Sequence, residues 1–300
     1  MKAMILAAGL GTRLRPLTDN RPKALVEIAG RTLLDITLSR LRAFGISEVI
    51  INVHHFADMI LDYLKAHDKF GMRIEVSREE VLLDTGGGLK KAAWFFLEDS
   101  NSSEEPFLLH NVDVISTIDL QRMVQFQSEN HALATLAVQD RETARYLLFD
   151  EHLQLCGRRS SGTAIPGCAP QITASQNPSA TASPPAQQVS SPVIPNEVRD
   201  LLLPRERTAL QPAEEASGTA IPGCAQLQAL AFSGIHVISP RLLPMITEEG
   251  VFSIIPSYLR LAAQGENILA FRADDYYWRD LGTPDNVLQA ALDLKQNILF

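Results

Sequence analysis

Cysteine is scarce: Cys156, Cys168 and Cys224 are the only three in 300 residues. An odd count without C-x-x-C spacing supports neither a disulfide framework nor a zinc site. Positive charge is in deficit, with 27 Lys and Arg against 35 Asp and Glu and a formal net charge of -8. That balance argues against general nucleic-acid binding, so any anionic ligand has to be held by a local basic cluster. Long apolar runs are missing too. Residues 1–10 hold a short apolar stretch, but Arg13 and Arg15 follow where a signal peptide would need small residues for cleavage. No other stretch has the length or purity of a membrane span, and the chain is expected to be cytoplasmic. What is plentiful is core material: 46% of residues are hydrophobic, enough for one large α/β domain or two smaller ones.

The first half alternates strand and helix signals. Residues 3–7 form an apolar run ending near glycine, as a buried strand does. Residues 32–44 carry Leu34, Leu38 and Leu41 at helical spacing and stop at Gly45. A second buried strand at 48–53 precedes a helical stretch through Met59, Ile60 and Leu64. Residues 73–77, 88–97 and 107–110 continue the alternation. Repeated β-α-β order implies a Rossmann-like, mixed but mainly parallel sheet with helices on both faces. Ligands of such sheets sit outside the carboxyl ends of the strands, which singles out the loops after Ala7 and His110. Beyond Leu120 the pattern is more mixed. Strands are expected at 133–139, 146–149 and 153–156, the last two antiparallel, then at 228–238 and 268–271; helices are expected at 252–263 and 284–297.

The loop after the first strand concentrates the missing positive charge. Leu6-Ala7-Ala8-Gly9-Leu10-Gly11-Thr12-Arg13 is followed by Arg15, Arg21 and Lys23, with Asp19 the single acid. Gly9 and Gly11 let the backbone turn sharply and leave N–H groups free for phosphate oxygens. A P-loop needs G-x-x-x-x-G-K-[ST], which is absent, and a dinucleotide fingerprint needs glycine where Leu14 stands. A glycine turn with solvated arginines would explain residues 9–13 alone; the added Pro22-Lys23 argues for a phosphate site.

Here the sequence resembles the sugar-1-phosphate nucleotidyltransferases, whose signature is L-A-A-G-x-G-T-R-L-R-P-L-T followed by P-K-P-L. The resemblance implies a GT-A-like nucleotidyltransferase fold, with Leu6, Ala7, Ala8, Gly9, Gly11, Thr12 and Arg13 around the nucleotide and with Arg13 and Lys23 on its phosphates. Ala24 stands where the family usually has proline. Asp84-Thr85-Gly86-Gly87-Gly88 is similar to the family's base and ribose loop, which adds Thr85, Gly86 and Gly87. Asn111-Val112-Asp113 resembles N-G-D, with Val112 in place of the commoner glycine. Phe232-Ser233-Gly234-Ile235 resembles the sugar-side strand, so Asn111, Ser233 and Gly234 are expected at the sugar. Trp278-Arg279-Asp280-Leu281-Gly282-Thr283-Pro284 resembles W-x-D-[VIL]-G-[TK]-P, and Asp113 and Asp280 are the implied Mg²⁺ ligands. Two carboxylates suffice for a cation that completes its shell with phosphate oxygens and water. The catalytic set is then Arg13, Lys23, Asp113 and Asp280. His54, His55 and His110 are expected in structural places, His110 at the sheet edge, and Met4, Trp94, Phe95 and Phe96 in the core.

The implied partners are an NTP and a sugar 1-phosphate, with no nucleic acid and no membrane, in a monomer or homodimer. Chain length and T-G-G-G resemble N-acetylmuramate-1-phosphate uridylyltransferases; mannose- or heptose-1-phosphate guanylyltransferases are the alternative. A catalytically silent nucleotide-sugar-binding regulatory subunit is the alternative of another class.

Residues 158–226 interrupt this pattern. They hold ten of the seventeen prolines, no aromatic residue, and five arginines against five acids. The nonapeptide Ser-Gly-Thr-Ala-Ile-Pro-Gly-Cys-Ala occurs at both 161–169 and 217–225. Such a composition buries too little apolar area to offset its ordering entropy. The reading is a disordered insertion into a surface loop of a single nucleotidyltransferase domain formed by 1–157 and 227–300; a partner-docking segment is the functional alternative. Surface loops accept insertions at little thermodynamic cost. Deleting residues 158–226 is expected to leave folding and activity intact, and loss of either in a melt or a pyrophosphate-release assay overturns the insertion reading.

Overall fold

The computed structural model describes residues 1–98, 105–160 and 227–295. Its first strand, β1 (Lys2–Leu6), alternates its side chains between two faces. Ala3 and Ile5 enter one apolar cluster and Met4 the other. Both faces therefore need a cover. On one side α1 (Leu33–Ala43) contributes Leu34, Leu38 and Leu41, and α2 (Ala57–Ala66) contributes Ile60 and Leu64. On the other, α3 (Asp84–Leu97) contributes Leu89, Phe95 and Phe96. Thr32 starts α1 by accepting a hydrogen bond from Asp35 N at 3.1 Å, one turn before the leucine stripe begins.

β2 (Glu27–Ile28) and β3 (Arg31–Thr32) form a small separate hairpin. β1 lies between β4 (Glu48–Val53) and β6 (Phe107–Asn111), parallel to both, and β5 (Arg73–Arg78) extends the parallel half beyond β4. The other half is antiparallel. β8 (Ala134–Gln139), β9 (Arg145–Phe149), β10 (Leu155–Ser160) and β11 (Gln228–Ile238) complete a nine-stranded sheet with β12 (Ile268–Arg272), which runs parallel to β8. The expected mixed sheet with helices on both faces is present. β11 joins the halves. It pairs with β9 through Ala231 and with β6 from Ile235, and the break falls at Ser233-Gly234, where Gly234 has φ +74°.

Several expectations shift. α3 begins at Asp84, so the glycine triplet lies inside a helix rather than before one. α4 (Leu120–Glu129) buries Leu120 and Met123 on a segment whose polar residues masked it. α5 (Ile254–Ala263) and α6 (Pro284–Lys295) match two expected helices, with residues 296 and 297 outside the described part. Residues 158–160 continue β10 opposite β9, so the deletion that spares the sheet begins after Ser160; the remainder of the expected insertion lies outside the described residues. Cys156 is disulfide-bonded, which the cysteine count gave no reason to expect. Trp94, expected in the core, is half exposed. Among the described residues no helix is long and apolar enough to cross a membrane.

His110, expected at the sheet edge, is buried in its middle, because β6 has partners on both sides. His236 on β11 is equally buried, with Nδ1 3.0 Å from the Tyr258 hydroxyl. Burial pushes both imidazoles down to about 3, aided at His110 by the charge of Arg40. Both are neutral in the fold and protonate near 6.5 when unfolded. The unfolded state thus binds more protons between these values, and stability is lost as pH falls through that window. Denaturant melts should show stability dropping from about pH 6.5 to 5, before most carboxylates titrate, and His236→Gln should flatten that slope. An unchanged slope would place the acid sensitivity elsewhere.

Candidate active site

The carboxyl ends of β1, β4 and β6 meet at a cavity of about 340 Å³. Leu6, Ala7, Ala8 and Gly9 line one wall, and Lys23, Asn111 and Asp113 line another. Its floor is polar. Ala7 N donates to Asn52 Oδ1 at 2.7 Å, and Asn52 Nδ2 donates to Glu79 Oε1 at 2.8 Å. Glu79 Oε2 accepts from Leu83 N at 2.9 Å. Asn52 and Glu79 are 3% and 2% exposed, and a carboxylate at such depth needs these donors. Neither residue was singled out in the sequence. The signal was there for Asn52, a lone amide in the apolar run of β4.

The basic loop is held by its own contacts. Gly11 has φ +65°, and Thr18 Oγ1 donates to the Gly11 carbonyl at 2.8 Å. The left-handed backbone favours glycine there, and a Cβ would sit tight against Thr18 Cγ2 at 3.0 Å. Lys23 opens a short 3₁₀ turn after Pro22, whose next residues Ala24 and Leu25 are buried. Anchored in this way, Lys23 forms an ion pair with Asp113.

A small ribbon brings the second aspartate. β7 (Val114–Ser116) pairs antiparallel with β13 (Trp278–Asp280), setting Asp280 opposite Val114. Leu281 N donates to the Asp113 carbonyl at 2.8 Å. Asp113 and Asp280 thus flank one ribbon end. Both strands are tied down. Half-buried Arg40, its pKa pushed down to about 10 by desolvation, donates to Ser116 Oγ at 2.7 Å and to the Ile118 carbonyl. Tyr277 donates its hydroxyl to Asp293 of α6 at 2.6 Å, and Arg279 donates to Tyr277 Oη at 2.9 Å. Asp280 Oδ1 accepts from Gly282 N at 2.5 Å. A Cβ at Gly282 would stand 2.6 Å from that oxygen and 2.8 Å from Arg13 Nη2, so the guanidinium of Arg13 comes up to the Asp280 turn.

Of the expected site residues, Leu6, Ala7, Ala8, Gly9, Lys23, Thr85, Asn111 and Asp113 line the cavity; Gly11, Thr12, Arg13 and Asp280 are not in its lining, with Gly11 beside Lys23 and Arg13 beside the Asp280 turn. Gly86 and Gly87 do not line it: their N–H groups donate to the Phe252 carbonyl at 2.9 and 3.2 Å. The triplet packs the start of α3 against residues 250–252, and Thr85 Oγ1 accepts from Ile254 N at 3.0 Å. Ser233 and Gly234 do not line the cavity either, although a Cβ at Gly234 would meet Asn111 Nδ2 at 2.9 Å. Among the described residues no group of three or more His, Cys, Asp or Glu could hold a metal ion. The two-carboxylate, all-oxygen set of Asp113 and Asp280 still fits a hard divalent cation that takes its other ligands from phosphate and water.

Residues 2–147 match the family described as nucleotidyl transferase. The chain carries a nucleotidyl transferase domain. It is 47% identical over 116 residues to the N-acetylmuramate alpha-1-phosphate uridylyltransferase of Caulobacter vibrioides, covering 38% of this chain and 46% of that protein. It is 37% identical over 139 residues to mannose-1-phosphate guanylyltransferase 1 of Arabidopsis thaliana, covering 46% and 38%. The aligned part thus spans less than half the length of these relatives. The fold is that of a putative glucose-1-phosphate thymidylyltransferase from Bacillus anthracis, with a TM-score of 0.66 at 15% identity over 100% of this chain and 97% of that one. It is also that of HddC from Yersinia pseudotuberculosis, with a TM-score of 0.63 at 17% identity over 98% and 99%.

In this nucleotidyl transferase domain the glycine triplet can be tested as packing. A Cβ at Gly87 collides with the Gly250 carbonyl oxygen, which is backbone and cannot swing aside. Gly87→Ala is expected to cost about 1–3 kcal/mol in a denaturant melt. An unchanged midpoint would free the triplet from its packing role.

Proposed function

We propose that this chain transfers a nucleotidyl group from an NTP to a sugar 1-phosphate, giving an NDP-sugar and pyrophosphate. The observation that carries the proposal is the Lys23–Asp113 ion pair in the lining of the cavity that follows β1, with Asp280 on the adjoining ribbon end. Net charge is negative, yet here a lysine and an arginine converge on two aspartates, as a site for phosphates and a cation requires.

In the proposed reaction a phosphate oxygen of the sugar attacks the α-phosphorus in line. The bond from that phosphorus to the bridging oxygen breaks, and pyrophosphate leaves with the electron pair. The attacking oxygen is already anionic, so no general base is required. The protein's work is positioning and charge neutralisation. Lys23 meets the reacting phosphates, and Arg13 takes the charge gathering on the departing pyrophosphate. Gly9, Gly11 and Thr12 give backbone close to the nucleotide, and Leu6, Ala7, Ala8 and Thr85 border its base and ribose. Asn111, Ser233 and Gly234 border the sugar. Mg²⁺ held by Asp113 and Asp280 would supply charge neutralisation and orientation of the phosphates.

UTP with N-acetylmuramate 1-phosphate is the preferred pair, supported by the likeness to the Caulobacter protein. GTP with mannose or heptose 1-phosphate is the alternative, supported by the likeness to the Arabidopsis protein. A silent regulatory subunit would dispense with catalytic groups, and this chain keeps Arg13, Lys23, Asp113 and Asp280. An NTP donor also suits a cytoplasmic place.

Pyrophosphate release across five NTPs and a panel of sugar 1-phosphates is the direct test, and silence with every pair sinks the proposal. Lys23→Ala is expected to lower kcat by on the order of 100–1000-fold. Asp113→Asn and Asp280→Asn should each raise the Mg²⁺ concentration needed for half-maximal rate. A near-native rate in Lys23→Ala removes the lysine from the mechanism.

A further inference from the structure

Near the ribbon lies a second basic cluster whose arginines the proposed reaction does not use. Arg141 follows β8 and lays its guanidinium flat on the Trp278 ring, 3.7 Å from the centroid. Its Nη2 donates to the Phe232 carbonyl at 2.8 Å, and Trp278 Nε1 donates to the Ser233 carbonyl at 2.7 Å. Arg159 on β10 stands opposite Tyr146 in register, with its guanidinium 5.0 Å from that ring's centroid. Tyr146 is opposite Ala231 on its other side, so β10, β9 and β11 turn these side chains toward one face.

The cluster has unspent hydrogen-bonding capacity. Arg141 Nε, Arg159 Nε and Ser233 Oγ are buried and have no hydrogen-bond partner among the described residues. Buried donors in native proteins are nearly always paired, so a group of such orphans gathered about Tyr146 and Trp278 marks a place for a ligand's oxygens. An arginine stacked on a ring keeps its fork rigid, which suits two-point recognition of a planar anion. Burial lowers the Arg141 pKa, and the negative charge of Asp280 pulls it back up, so the cluster faces the ribbon.

We infer that Arg141, seconded by Arg159, reads a carboxylate on the acceptor sugar, separate from the phosphate that reacts. The inference rests on the proposed transfer to a sugar 1-phosphate. The reacting phosphate belongs at Lys23, Asp113 and Asp280. Trp278 precedes Asp280 by two residues of strand, about 7 Å along the same face, roughly a sugar ring with its substituent. An anion seated on the Arg141–Trp278 stack is therefore a second charge. N-acetylmuramate has such a carboxylate on its lactyl ether, and N-acetylglucosamine is the same sugar without it.

The test compares kcat/KM for N-acetylmuramate 1-phosphate and N-acetylglucosamine 1-phosphate, with UTP, in the full chain. The wild type should prefer the acidic sugar. Arg141→Gln should lose roughly 10–100-fold on the acidic sugar, mainly through KM, and much less on the neutral one, so that the preference collapses. Arg141→Lys should recover only part, because an ammonium keeps the charge without the fork. Arg159→Gln should shift the preference in the same direction, and it carries the test if melts show that Arg141→Gln does not fold. Equal losses on both sugars overturn the inference, since they put the arginine on the shared phosphate or in the scaffold. An active wild type without acid preference overturns the inference alone. A wild type silent with every NTP and sugar phosphate overturns the transferase proposal and the inference with it.

Discussion

The ribbon of β7 and β13 is the constraint on which the candidate site depends. Its three paired positions bring together two aspartates far apart in sequence, and the Leu281 N–H to Asp113 carbonyl bond closes it beside them. Two three-residue strands would not hold by themselves. They hold because Arg40 bonds β7 to α1, and because Tyr277, Arg279 and Asp293 bond β13 to α6. Sheet, helices and ribbon therefore form one support for two carboxylates, and Lys23 reaches the same place from the loop after β1.

The cavity floor follows a similar logic at greater depth. Asn52 and Glu79 spend their hydrogen bonds on one another and on the backbone at Ala7 and Leu83. That network fixes the first residue of the glycine loop relative to the turn that opens α3. The glycine triplet lets the helix sit there. A Cβ at Gly88 would lie 2.8 Å from Glu79 Oε1, and the other two glycines admit Phe252 and Gly250. The cost of glycine in a helix is offset by contacts that no larger residue permits.

The parallel half was legible because its strands are near-continuous apolar runs, as at Glu48–Val53, bounded by glycine and amphipathic helices. The start of α3 was not legible, since three glycines read locally as a loop and only the packing against residues 250–252 reverses that. α4 was hidden by its polar residues, although Leu120, Met123 and Gln127 keep helical spacing. β7 and β13 are too short to show any period, and their pairing depends on residues far apart in sequence. Asp113 and Asp280 were therefore singled out through resemblance, and it is the ribbon that accounts for their meeting. Glu79 gave no local signal at all, because a glutamate after a strand usually faces water.

The break in β11 has a consequence for how such a molecule can change. Along one edge the strand pairs with β9 up to Ala231, beside the arginines, and from Ile235 with β6, beside the cavity. Gly234 turns the chain between these two allegiances. Substitutions at Tyr146 on β9 or Arg159 on β10, neither of them in the shared core, can therefore remodel one side without repacking the parallel strands on the other. Under the proposed transfer, the two substrates' contacts are open to separate adjustment, with a single glycine as the seam between them.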